Sequence, residues 1–397
     1  MSFEILETET NGTIIKVVGV GGAGGNAVEH MIRRGVQGVE FVCANTDHQA
    51  LARSSSQNIL QLGKSGLGAG SRPDAGRAAA EEARDRIADA LRGAHMVFIT
   101  AGMGGGTGTG AAPVFAEVAK ELGVLTVAVV SKPFEFEGPK RMKLAEDGLA
   151  ELEDNVHSLI VILNNKLEEV MGEDAEMAEC FRAADDVLHN ACAGIAEIIN
   201  VPGLVNVDFE DVKTVMSERG KAMMGTATAA GLDRARIAAE QAVASPLLEG
   251  VDLSGARGVL VNITASSSLK MKETREVMNT IRAFSAEDST VIFGTVHDES
   301  MGDSLRVTVV ATGLGRASAK KVSTPFTVIR TGTDNGPVGM APATPASTPV
   351  PDFTDLDKPA IWRTRDSRES VQARVSAMED SGTERYDIPA FLRKQAD

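Results

Sequence analysis

Short apolar runs alternate with longer amphipathic stretches over the first 170 residues. Runs at 13–20, 39–44, 96–101, 125–130 and 159–163 have the length and composition of buried strands. Between them, helical spacing or alanine-rich sequence predicts helices at 27–34, 74–91 and 139–152. A further helix follows the strand at 96–101, with Pro113 suited to its first turn. Strands alternating with helices predict a parallel sheet covered on both faces.

The stretch 177–200 then places Phe181, Ala184, Leu188, Ala191, Ile195 and Ile198 at three- and four-residue steps. This predicts one long, almost wholly buried helix, ended by Val201-Pro202-Gly203. A second, smaller α/β unit follows. It has a helix ending near 219, others at 234–243 and 272–284, and strands at 258–264, 290–296 and 305–311. Periodicity fades from about 317, and seven of the fourteen prolines fall between Pro325 and Pro359. That composition predicts a disordered linker. Flexible chain of this length has an r.m.s. reach on the order of 45 Å. The expected division is a tail (1–12), a Rossmann-like parallel-sheet domain (13–176), a central helix (177–203), a smaller α/β domain (204–316), the linker (317–383) and a terminal peptide (384–397).

Composition narrows the function. A formal net charge of −15 argues against non-specific binding to nucleic acid. The three cysteines make no C-x-x-C pair, which fits structural thiols in a reducing cytoplasm and predicts no metal site on the protein itself. The N-terminus lacks an apolar secretory core. No run approaches the ~18 apolar residues of a membrane span, so any membrane link is expected to pass through a partner.

The chemistry concentrates in three glycine loops, each expected to follow a strand. Gly21-Gly22-Ala23-Gly24-Gly25-Asn26 follows the first strand. Gly66-Leu67-Gly68-Ala69-Gly70 lies further on. Gly102-Met103-Gly104-Gly105-Gly106-Thr107-Gly108-Thr109-Gly110 follows the strand at 96–101. Loops at the carboxyl ends of parallel strands share one sheet edge, where ligands bind. Free N–H groups at helix starts favour an anion there, and Thr107 and Thr109 would add hydroxyl donors. No lysine follows, so this is not a G-x-x-x-x-G-K-[ST] phosphate loop. Gly19 to Gly24 also fits a dinucleotide fingerprint with Asp47 as ribose acid, which keeps a nicotinamide-dependent dehydrogenase open. Several loops around one anion suit a triphosphate better.

The heptad Gly104–Gly110 resembles the signature of the tubulin superfamily. Residues 13–315 and 384–397 are similar to its bacterial cell-division branch, the FtsZ family. The resemblance implies a GTPase that polymerises head-to-tail into a cytokinetic ring in the cytoplasm at mid-cell. It makes Phe181 and Asp185 the guanine contacts, where spacing alone fits equally a core aromatic and a solvated helix start. It adds Asn164 as a weaker base contact. It also brings Glu137 and Arg141, otherwise a plain i,i+4 ion pair, to the nucleotide's sugar or phosphates.

Asp208 and Asp211 are spaced as a helix N-cap and its N3 partner. With Asn206 they also resemble the family's catalytic loop, whose acids polarise the attacking water. If Phe181 and Asp185 hold the base, the helix between them and these acids spans about 29 Å from Phe181 to Asn200 at 1.5 Å per residue. The acids would then serve a neighbour's nucleotide. A heterologous contact of that kind, repeated, makes a filament. Mg²⁺ is expected to offset the phosphate charge. A non-hydrolysing scaffold remains the third alternative. In the terminal peptide, Ile388, Phe391 and Leu392 share one helical face behind the N-cap Asp387. The resemblance implies docking to membrane-tethering and regulatory cell-division proteins; a frayed terminus is the plain alternative.

Overall fold

The computed structural model describes residues 12–314, except 173–174, 202, 206, 219, 246–255 and 287–288. The expectations for Asn206, the linker and the terminal peptide with Ile388, Phe391 and Leu392 therefore lie outside the described residues. The chain runs β1 (Ile15–Val20), α1 (Gly21–Arg33), β2 (Val39–Asn45), α2 (His48–Leu51), β3 (Asn58–Gln61), α3 (Pro73–Glu81), α4 (Arg84–Leu91), β4 (Met96–Gly102), α5 (Thr107–Glu121), β5 (Leu125–Lys132), α6 (Pro139–Asn155), β6 (Ser158–Leu163) and α7 (Asn164–Met171). It continues through α8 (Met177–Asn200), α9 (Phe209–Met216), β7 (Lys221–Ala230), α10 (Arg234–Val243), β8 (Gly258–Ala265), α11 (Met271–Phe284), β9 (Thr290–His297) and β10 (Ser304–Leu314).

All ten strands form one sheet in the order β3-β2-β1-β4-β5-β6-β7-β10-β8-β9. The pairs from β3 to β7 are parallel, as the strand–helix alternation requires. β10 is antiparallel to both its neighbours. β6 and β7 are joined by only two register pairs, Leu159 with Lys221 and Ile160 with Ala222. One apolar core packs α1, α8 and α9 on the sheet and takes in Leu260 and Val310 from the later strands. A second lies on β1–β6 beneath α3 to α6, and a third beneath α10 and α11.

Several local expectations change. α1 starts at Gly21 and α5 at Thr107, so the glycine runs feed directly into helix rather than preceding it by several residues. Glycine costs a helix about 1 kcal/mol per residue relative to alanine, but tertiary packing overrides this here. A Cβ at Gly24 would stand 2.3 Å from the Thr100 carbonyl oxygen, because the first turn of α1 rests on β4. Pro113 is consequently an interior residue of α5. The helix expected over 74–91 is two helices with a break at Glu82-Ala83, which nothing in the local sequence marks. α2, β3, β7 and α7 are additional elements. α8 has the expected limits, and Ala191 to Ala196 are all buried, but its start is open, with Met177 64% and Phe181 43% exposed.

Candidate functional site

β1 and β4 lie side by side, and each turns directly into a helix at the same sheet edge. Neither α1 nor α5 has a side-chain cap, so the first-turn N–H groups of both are left for another acceptor. The two helix starts touch: a Cβ on Gly21 would lie 2.9 Å from the Gly108 nitrogen. Over them opens a cleft of about 460 Å³. Gly22, Ala23 and Asn26 line it from α1, and Gly70 from the loop after β3. Gly105 and Gly106 line it from the loop after β4, and Thr107 and Gly108 from the start of α5. Glu137, Arg141, Asn164, Phe181 and Asp185 close the rest, so most of the candidates taken from the sequence converge on one cavity.

The remaining candidates have different places. Gly21 and Gly25 line a neighbouring cavity of about 500 Å³ between α1 and the β2–α2 segment. Gly24 packs beneath, against β4. Ala69 is buried behind Gly106. Gly104 takes a φ of +91°, a left-handed conformation that glycine adopts without strain. Thr109 is 3% exposed, and its Oγ1 accepts from the Gly104 N–H at 2.8 Å. It staples the loop rather than facing the cleft. Gly105 has nothing within 4 Å of a built Cβ and so looks into open space.

On the far wall, Phe181 stands edge-on to the buried Phe134, with ring centroids 5.3 Å apart, and leaves much of its ring open. One turn on, burial pushes the Asp185 carboxyl up to about 6, against the pull of His30; Asp186 adds to the rise. Asp186 is not merely solvated. One of its oxygens is held by His30 Nε2 at 2.8 Å and accepts from Arg34 Nη2 at 2.7 Å. Nearby, burial pushes His189 down to about 4. Asn164 is 5% exposed, and its Oδ1 has no hydrogen-bond partner among the described residues. A buried unsatisfied acceptor at a cleft wall is a place where a ligand donor fits. Glu137 and Arg141 do form the i,i+4 ion pair, at 2.5 Å, and Glu137 also accepts from the Phe134 N–H.

Ser71, Ser131, Lys132 and Pro133 also line the cleft and escaped the sequence reading. Ser131 and Lys132 end β5 at the same edge and Pro133 follows directly, so strand position alone could have flagged them. Ser71 has a φ of +54°, the one positive value at a non-glycine among the described residues. Only contact with the loops could identify it.

Asp208 and Asp211 do not line the cleft. Asp208 caps α9, accepting from the Asp211 N–H at 2.8 Å, and both residues are exposed. Among the described residues no group of three or more His, Cys, Asp or Glu side chains could hold a metal ion. Nor is any helix among them long and apolar enough to cross a membrane.

Two family models match the chain. "Tubulin/FtsZ family, GTPase domain" covers residues 14–172, and "FtsZ family, C-terminal domain" covers 220–315. The cell division protein FtsZ of Coxiella burnetii is 53% identical over 396 residues, covering 99% of both chains. That of Pseudomonas aeruginosa is 52% identical over 398 residues, covering all of both. An empty FtsZ dimer from M. jannaschii superposes with a TM-score of 0.73 at 42% identity, over 78% of this chain and 89% of that one.

Proposed function

The chain belongs to the FtsZ family, and from that premise we propose how its cleft turns over GTP. Proteins of this family are tubulin-like GTPases of cell division that polymerise into the septal ring, and this chain is one of them. In our reading the free N–H groups of α1 and α5 and the Thr107 hydroxyl take the phosphates. Phe181 packs on the guanine, Asp185 accepts from its ring N–H and amino groups, and Asn164 adds a further polar contact. Glu137 and Arg141 hold the sugar–phosphate end. Residues 13–176 together with the first turns of α8 thus supply the pocket and 204–316 supply the acids, with the rest of α8 as the spacer.

One observation carries the split site. α8 is unbroken from Met177 to Asn200. Phe181 and Asp185 sit at its start, beside the phosphate loops. Asp208 and Asp211 follow its end, so about 29 Å of helix separates them from the base site. Neither acid reaches the phosphates of its own chain. In our reading, docking of the next subunit brings them to that nucleotide, where they orient water toward the terminal phosphate. Both are exposed, as such docking requires. With no carboxylate cage among the described residues, Mg²⁺ fits here as an ion carried in by the triphosphate, supplying charge neutralisation.

The experiment is phosphate release against protein concentration. Activity per chain should rise from near zero above a threshold. A constant activity down to the lowest measurable concentration overturns the split site. Mixing separates the parts further. Asp211→Ala should bind GTP without turnover. A chain whose cleft is blocked, but whose acids are intact, should restore hydrolysis to it.

Family membership alone supports the remaining assignments. The polymer works in the cytoplasm at the mid-cell division site. Ile388, Phe391 and Leu392 of the terminal peptide contact membrane-tethering and regulatory division proteins.

A further inference from the structure

Thr46 lies just past β2, outside the cleft lining, and is 4% exposed. Its Oγ1 stands 2.6 Å from Oγ1 of Thr107, the first residue of α5, which does line the cleft. Its carbonyl oxygen accepts from the Gly68 N–H at 3.1 Å. On the same short segment the His48 N–H donates to the Gly66 carbonyl, and Asp47 bridges to Leu67. Thr46 is therefore where the loop after β2, the loop after β3 and the start of α5 meet.

A hydroxyl has one proton to give and two lone pairs to receive with. In the Thr46–Thr107 contact one oxygen donates and the other accepts. A phosphate oxygen is an acceptor only, so a Thr107 hydroxyl that binds phosphate must give its proton to it. The proton between the two threonines then has to come from Thr46. We propose that Thr46 is a positioning residue for nucleotide binding, donating its hydroxyl proton to Thr107 and so committing the Thr107 proton to a nucleotide phosphate. A donor at Thr46 also polarises the Thr107 hydroxyl and strengthens the bond it makes in turn. The same contact fixes the Thr107 rotamer, since Thr46 is itself anchored to the Gly66–Gly70 loop through its carbonyl.

This inference rests on the reading of the cleft as a GTP site, and a double-mutant cycle separates the two. The affinity of full-length protein for GDP is titrated for wild type, Thr46→Val, Thr107→Val and the double variant. Thr107→Val should weaken binding by roughly tenfold or more, and Thr46→Val by roughly three- to tenfold. The double variant should bind no more weakly than Thr107→Val alone, because Thr46 acts only through Thr107. Thr46→Ser keeps the hydroxyl and should stay within about twofold of wild type. If Thr107→Val binds normally, the phosphate reading of the cleft fails first. If Thr107→Val is weakened while Thr46→Val is normal, or the two losses multiply, the positioning role alone is overturned. Thermal melting of the unliganded proteins checks folding. Should Thr46→Val not fold, Thr46→Cys, which replaces the hydroxyl with only a weak S–H donor, takes its place in the cycle, with Thr46→Ser as its size-matched control, and must show the same coupling.

Discussion

Asp185 gives the sharpest test of the base site, because burial has moved its titration into an accessible range. Its carboxyl is raised from 3.8 to about 6. In the proposed base site guanine presents donors to this wall, which makes the ionised carboxylate the expected binding form. If only that form binds, the apparent dissociation constant scales as one plus the ratio of protonated to ionised carboxyl. With a value near 6, that factor is about 1.1 at pH 7 and about 11 at pH 5. Affinity should therefore fall roughly tenfold between pH 7 and pH 5. A carboxyl at its ordinary value would change it by only about 6% over the same range. GDP is the probe, titrated at equilibrium so that hydrolysis does not intervene. The terminal phosphate of the nucleotide also titrates near pH 6, but that contribution is common to wild type and Asp185→Asn. The difference between the two profiles isolates Asp185: wild type should show the extra tenfold loss, and the variant should bind more weakly at pH 7 with the loss absent. Identical profiles in the two proteins would refute the argument.

The same shift has a stability consequence with a definite sign. A carboxyl raised on folding favours the folded state most fully below pH 3.8, and that contribution is lost as pH rises through about 6. Unliganded Asp185→Asn should therefore melt higher than wild type at pH 7, with the gap closing near pH 4; a gap that widens toward low pH contradicts this. Asp208→Asn preserves a capping side chain but removes the acid, so it should melt like wild type and lose GTP turnover, whereas Asp208→Ala should also lose about 1 kcal/mol of stability in denaturant titration. Gly105→Leu points into open space and should fold normally while blocking GTP binding, whereas Gly110→Ala, whose Cβ would sit 2.0 Å from the Pro73 carbonyl oxygen, should cost about 1–3 kcal/mol or more in the same titration. Removing residues 384–397 should leave GTP hydrolysis intact and abolish capture by a membrane-bound tethering partner, with Phe391→Ala alone causing most of that loss in a binding titration.

Five of the six parallel strands of the first half, all but β3, were legible in the amino-acid order, as were the limits of α8 and the glycine loops. Each of these is a local signal: apolar runs, a three-and-four spacing, or glycines where a strand must hand over to an anion-binding helix. Strand direction then sufficed to bring the loops together. Packing between distant segments sets the rest. β7, with its run of small residues, has little intrinsic strand preference, yet it joins β6 to β10 because those strands leave a place for it. Gly24 and Gly108, at the starts of α1 and α5, lie so close to the Thr100 and Gly102 carbonyls of β4 that no side chain fits there. Thr107 and Thr109 look equivalent on paper, but packing turns one to the cleft and the other to the Gly104 N–H. Asp185 and Asp186 are adjacent acids. A helix rotates successive residues by about 100°, so one faces the cleft and the other meets His30 of α1 and Arg34 just past its end. Which side chains share a cavity depends on contacts between segments far apart in the chain, and no local periodicity encodes them.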